Sequence, residues 1–251
     1  MALDLANYEA RAEEAVRLFW ETRGKARAAQ EERRTVSDRG NRAAVTAGKN
    51  MDGFIGLIKQ IVIANGLGPG AIYSGAETET AHRHVTLPGF YRPVKDWDFL
   101  VIHKNQLVAA LEFKSQIGPS FGNNFNNRCE EAIGMASDLW VAYREGTFGD
   151  IPRPFLGYIM LLEDDEGSRR PVSIRSEHFD TLEVFENASY AKRYDVMLRH
   201  LMQERLYDAG TLLLSSKEEG PSGIYTELGP PTGLKRLVSG LAGHVATSSV
   251  T

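Results

Sequence analysis

Two short apolar runs, residues 99–102 and 107–111, flank a polar His103-Lys104-Asn105-Gln106. Both runs are rich in Val, Leu, Ile and Phe and are bounded by turn formers, the pattern of strand, turn and strand. Side chains alternate along a strand, so Glu112, Lys114 and Gln116 share one face while Phe113 points to the other. Elsewhere the period is helical. Leu5, Tyr8, Ala12, Ala15, Val16, Phe19 and Trp20 predict a long amphipathic helix over 4–34. Phe54, Ile55, Leu57, Ile58, Ile61 and Val62 predict a second helix, closed by Asn65-Gly66 and apolar nearly all round, hence core. Residues 130–144 predict a third, with Ala132, Ile133, Ala136, Leu139, Trp140 and Tyr143 as its buried face. Residues 155–162 read as a further strand, 190–206 as an amphipathic helix and 212–214 as an edge strand.

Strand, turn, strand, helix, strand is the order of an α/β chain in which a mixed sheet is flanked by helices. One domain over 1–215 is expected, with a helical N-terminal part (1–66) and a core at 86–162. Residues 216–251, dominated by Gly, Pro, Ser and Thr, read as an irregular tail. Residues 118–127 hold four Asn, two Gly and one Pro and read as a structured loop, with Asn126 or Asn127 capping the helix that follows. The acidic Glu163-Asp164-Asp165-Glu166 reads as solvated loop rather than metal site.

Composition narrows the classes. Hydrophobic content of 42% and charged content of 25% are ordinary for a globular protein. A net charge of −4 argues against indiscriminate nucleic-acid binding, which rests on phosphate neutralisation. A sequence-specific binder can still gather its cations in one cleft. Arg23, Lys25, Arg27, Arg33, Arg34, Arg39 and Arg42 fit either a solvated helix face or a phosphate-contacting arm. The single cysteine, Cys129, excludes an intrachain disulfide and a multi-cysteine zinc site, and reads as a small buried residue. No basic, apolar leader opens the chain and no run approaches the about 18 apolar residues of a span, so a soluble, cytoplasmic protein with no membrane partner is expected.

The chemistry lies at the ends of the two central strands. If they pair as a hairpin, Asp98 returns beside Glu112, and two carboxylates and the Lys114 ammonium converge. Carboxylate oxygens suit Mg²⁺, which takes one or two of them and keeps waters and substrate phosphate as its other ligands. Such an ion acidifies a bound water and stabilises charge on phosphate, and Lys114 could orient or deprotonate that water. The same charges also suit strand-end residues that merely pair with one another, and the pattern alone leaves both readings open. His82 and His84 lack a third ligand nearby and read as DNA contacts or plain loop. The amides of Asn123, Asn124, Asn126 and Asn127 could pair with adenine, and Arg128 with guanine or phosphate.

Asp98 and Glu112-Phe113-Lys114 resemble the metal-binding motif of the PD-(D/E)XK nuclease superfamily, with Trp97 standing where the superfamily's name places Pro. The likeness extends through Gly89-Phe90-Tyr91-Arg92-Pro93, Ala110-Leu111-Glu112-Phe113-Lys114-Ser115-Gln116 and the string from Gly118-Pro119-Ser120-Phe121-Gly122 to Asn126-Asn127-Arg128. Together, residues 86–160 resemble the XhoI-type type II restriction endonucleases. The resemblance implies a PD-(D/E)XK restriction-endonuclease-like fold and Mg²⁺-dependent double-strand cleavage of DNA at CTCGAG, leaving 5′ overhangs. It implies Asp98, Glu112 and the backbone carbonyl of Phe113 as metal ligands, Lys114 as the residue that places or activates water, and Gln116 as a support. Glu77 or Glu79 would supply a further upstream carboxylate. A palindromic site calls for a symmetric reader, hence a homodimer, and for a cognate DNA methyltransferase in the same system. The alternatives are a superfamily nuclease with a repair or structure-specific target, and an inactive DNA-binding protein of the same fold.

Overall fold

The computed structural model describes residues 3–32, 50–75 and 84–250. Its centre is a five-stranded sheet of β1 (Ile72–Ser74), β4 (Phe99–His103), β5 (Gln106–Gln116), β6 (Phe155–Glu163) and β7 (Ala209–Ser215), side by side in that order. A separate antiparallel hairpin joins β2 (Thr86–Pro88) to β3 (Val94–Asp96). β4 and β5 pair antiparallel with Phe99 opposite Leu111. Their turn is Lys104-Asn105, at φ 48° and 60°, the doubly positive backbone whose twist matches a two-residue hairpin. β5, β6 and β7 are parallel, and parallel neighbours need long crossovers. α3 (Phe121–Arg144) supplies the first and α4 (Tyr190–Gln203) the second.

Strand alternation divides the interior into two layers. On β6, Leu156, Tyr158, Met160 and Leu162 pack with α3 and α4, while Phe155, Ile159 and Leu161 pack with α1 (Tyr8–Glu32), α2 (Asp52–Ala64) and α5 (Leu234–Val250). Every residue of β6 and β7 is buried, as parallel strands covered on both faces must be. The architecture is the mixed α/β sheet between helices that the sequence predicts, and it is consistent with a restriction-endonuclease-like fold. Among the described residues no helix is long and apolar enough to cross a membrane.

Several local expectations need correction. The Asn-rich stretch is the opening of α3, which starts at Phe121 with Ser120 at the cap position, so neither Asn126 nor Asn127 is an N-cap. Phe121 stacks on Tyr190 at 6.1 Å and Phe125 meets Tyr194 edge-on at 5.1 Å. These contacts, one helical turn apart, outweigh the weak helix propensity of asparagine. Ile133, expected on the buried face of that helix, is exposed. Cys129 is only half-buried, with its Sγ 3.3 Å from Met197 Sδ. The C-terminal stretch is not irregular throughout, because residues 234–250 form α5. Its buried Leu234, Leu237, Val238, Leu241, Ala242 and Val245 keep strict helical spacing, which Gly240, Gly243 and the neighbouring Ser and Thr obscure.

The acidic run also divides. Glu163 ends β6 fully inside, accepting the Gly118 N–H at 2.7 Å and pairing with Lys217 at 2.6 Å. Asp165 instead caps a one-turn helix in a reciprocal arrangement with Ser168. Because α5 is part of the main core, Leu241→Ala is expected to lower unfolding free energy by about 2–5 kcal/mol. Urea titration measures this, and a change near zero would remove α5 from the core.

Candidate active site

β5 outruns its antiparallel partner. β4 begins at Phe99, so beyond Leu111 no strand pairs with β5 on that side. Asp98 occupies the gap, and its Oδ2 accepts the Phe113 N–H at 2.8 Å. A strand residue directs its N–H and C=O to the same side, so the Phe113 carbonyl faces the same gap. Glu112 and Lys114 project from the other alternation class, on the side covered by α3 and α4. Lys114 Nζ lies 2.5 Å from Glu112 Oε2 and 3.3 Å from Asp98 Oδ2. The structure therefore brings together the three residues that the sequence singles out. Asp96, two positions earlier, is exposed and accepts the Thr86 hydroxyl across the small hairpin, so Asp98 is the aspartate at this site.

A fourth charge joins them. Lys95 on β3 places Nζ 3.2 Å from Glu112 Oε1 and 5.7 Å above the Trp97 ring. Glu112, with no exposed side-chain surface, is thus clasped by an ammonium on each oxygen. Sequence reading missed Lys95, because strands of three residues carry too few positions for periodicity to show. A lysine three residues before Asp98 and two before Trp97 was the only trace.

Burial, then the nearby Asp98 charge, push the Glu112 carboxyl up to about 7 against the pull of Lys114 and Lys95. Burial alone would raise Asp98 too, but the Lys114 ammonium and the bond from Phe113 N–H hold it below the usual carboxylate range. Burial alone would lower Lys114; the two carboxylates overcome this and hold it above its ordinary value. The two carboxylates thus favour the ammonium form of Lys114, which can donate to a water beside them. Two carboxylates and an adjacent carbonyl are hard oxygen donors of the kind Mg²⁺ accepts while keeping waters. Among the described residues no group of three His, Cys, Asp or Glu side chains forms a closed metal cage.

The remaining candidates are dispersed. Gln116 is buried and donates to the Ile117 carbonyl at 2.7 Å. Asn124 is spent on the Ser120 carbonyl at 2.9 Å, whereas Asn123, Asn126 and Asn127 are exposed along one face of α3. Arg128 is tied to Glu131 with its Nε buried. His84 lies against Tyr73, 6.1 Å between rings. Glu77, Glu79 and His82 lie outside the described residues, as do Arg33, Arg34, Arg39 and Arg42.

Residues 30–227 match the family model described as Restriction endonuclease XhoI. This chain belongs to the XhoI restriction endonuclease family. Among its relatives, the type II restriction enzyme BstVI of Geobacillus stearothermophilus is 43% identical over 217 residues, covering 84% of this chain and 94% of the relative. The type II restriction enzyme AbrI of Azospirillum brasilense is 54% identical over 179 residues, 71% of this chain and 77% of its own. The type II restriction enzyme XhoI of Xanthomonas vasicola is 50% identical over 203 residues, 80% and 78% respectively. No solved structure gives a significant match. This XhoI-family protein is therefore a type II restriction endonuclease, a site-specific deoxyribonuclease acting on double-stranded DNA.

The Glu112 environment gives a measurable pH signature. A carboxyl whose folded-state pKa is raised stabilises the fold fully below its unfolded value of 4.5 and loses that contribution as pH rises through about 7. In EDTA, wild-type stability measured against Glu112→Gln should fall between pH 4.5 and 8 by on the order of 3 kcal/mol. Parallel curves for the two proteins in chemical denaturation would contradict the burial of this charge.

Proposed function

We propose that this XhoI-family enzyme cuts both strands of the palindrome CTCGAG with Mg²⁺, leaving 5′ overhangs. The observation that carries the chemistry is the convergence of Asp98, Glu112 and Lys114 at the open side of β5. Asp98, Glu112 and the Phe113 carbonyl would hold the metal, which when bound acidifies water and offsets charge on the phosphate. Lys114, kept positive by its two carboxylates, orients the attacking water and faces the phosphate oxygens. Lys95 balances Glu112 while no metal does. Gln116 supports the strand end, and a further carboxylate from Glu77 or Glu79 belongs to the same reading.

Specificity follows from α3. Its exposed Asn123, Asn126 and Asn127 present amides that match the edge of adenine, and Arg128 reaches DNA once released from Glu131. Similarity to the relative named XhoI supports the target sequence. Each chain holds one such carboxylate pair, and a palindrome presents two symmetric phosphates, so the working unit is a homodimer. A cognate methyltransferase of the same specificity protects the host DNA.

Digestion of a sequenced plasmid with Mg²⁺, against an EDTA control and followed by end sequencing, tests this reading. Discrete ends at CTCGAG are expected. Ends at another palindrome would retain the chemistry and overturn the specificity, while sequence-blind degradation would overturn the target altogether. Glu112→Ala and Lys114→Ala should each cut about a thousandfold more slowly or worse yet bind the cognate duplex within about fivefold of wild type. Unimpaired cutting by Glu112→Ala would sink the site assignment.

A further inference from the structure

The Gly89-Phe90-Tyr91-Arg92-Pro93 motif has no part in the chemistry described above, yet it is held more firmly than an ordinary loop tip. It connects β2 to β3. Asp138, a buried carboxylate on α3, accepts the N–H groups of Phe90 at 2.8 Å and Tyr91 at 2.7 Å on one oxygen, and Arg92 Nε at 2.7 Å on the other. Burial works against that charge, but the two backbone N–H bonds and Arg92 hold it below the usual carboxylate range. Gly89 is required by space: a Cβ there would lie 2.4 Å from Asp138 Oδ2 and 2.8 Å from the Arg92 carbonyl. The backbone is thus clamped while the side chains are left outside. Phe90 is 52% and Tyr91 72% exposed, their rings edge to face at 5.0 Å. Exposed loop tips are ordinarily small or polar; an anchored pair of exposed aromatics is a surface built to be covered.

Two observations identify what covers it. First, the loop runs directly into Lys95, whose ammonium touches Glu112. Lys95 is four positions beyond Tyr91, at most about 14 Å of extended chain. With bases stacked every 3.4 Å or so, a duplex whose phosphate rests on the carboxylates brings about four base steps within reach of the tip. Second, the cavity beside Tyr91 is lined by Trp140, Arg144, Arg153, Glu204 and Arg205. Arg153 is paired with Asp208 and stacked 4.1 Å over Trp140, and even so the lining carries more cationic than acidic groups. That charge favours a phosphate backbone over a second copy of this acidic chain.

We propose that Phe90 and Tyr91 form a preset aromatic wedge that enters the duplex beside the scissile phosphate and unstacks a base step, with Asp138 as its positioning residue. Every base has a face for an aromatic ring to stack on, and wedges of this type kink DNA at the step they enter. The inference rests on the placement of the substrate phosphate at Asp98 and Glu112.

The test uses the wild-type full chain in EDTA and duplexes carrying the site mapped by digestion, with 2-aminopurine moved through the positions within four base pairs of the cut. One position is expected to brighten several-fold on binding. The Phe90→Ala/Tyr91→Ala variant should lose that signal and bind about 5- to 100-fold more weakly, with wild-type melting temperature and elution volume. Absence of brightening at every position in a wild type that cuts, or an unchanged signal in the variant, overturns the wedge alone. A variant that elutes as a smaller species overturns it in favour of a contact between copies. A wild type that cuts no DNA overturns both the wedge and the site beneath it.

Discussion

The buried Glu112 charge is the constraint on which the site depends. A carboxylate stripped of water is tolerated only when ammonium groups or a metal replace the lost hydration. Here Lys114 comes from the same strand and Lys95 from a different hairpin, so the small β2–β3 unit must be docked for the charge to be balanced. Asp98 in turn is fixed by the Phe113 backbone, which ties the carboxylate pair to the hydrogen-bonding register of β4 and β5. A slip of one residue in that register would turn Glu112 and Lys114 toward the opposite core.

The sheet therefore does more than supply a scaffold. Its strands are parallel and doubly covered on the β6–β7 side, and antiparallel at β4–β5, where the partner strand stops short and opens a gap. The gap holds Asp98 against the Phe113 backbone, with the buried Glu112 within reach through Lys114. Helix α3 then carries both the exposed amide face at its start and the Asp138 clamp farther along.

The errors of sequence reading share a cause. Asn123 to Asn127 have the composition of a loop, and the stacking of Phe121 on Tyr190 and the edge-on contact of Phe125 with Tyr194, almost seventy residues away, favour the helix. The helix over 234–250 kept its apolar spacing, but small and polar residues between the leucines resemble a tail until α2 and β7 are seen to cover that stripe. Glu163 looked like one of four solvated acids and is instead the buried acceptor for the chain turning out of β5.

Local period and local chemistry were enough to determine the β4–β5 hairpin, the faces of β5 and the helices α1 and α2, and to single out Asp98, Glu112 and Lys114 as neighbours while leaving their role open. Each is written within a few residues, in alternation, helical spacing or a turn pair such as Lys104-Asn105. Tertiary structure alone decided that Lys95 reaches Glu112, that Lys114 lies between both carboxylates, that Asp138 clamps the 89–93 loop, and that α3 begins at Phe121. The reason is that charge balance and burial depend on groups brought together through space, and a linear pattern holds no record of which distant residue will supply the partner.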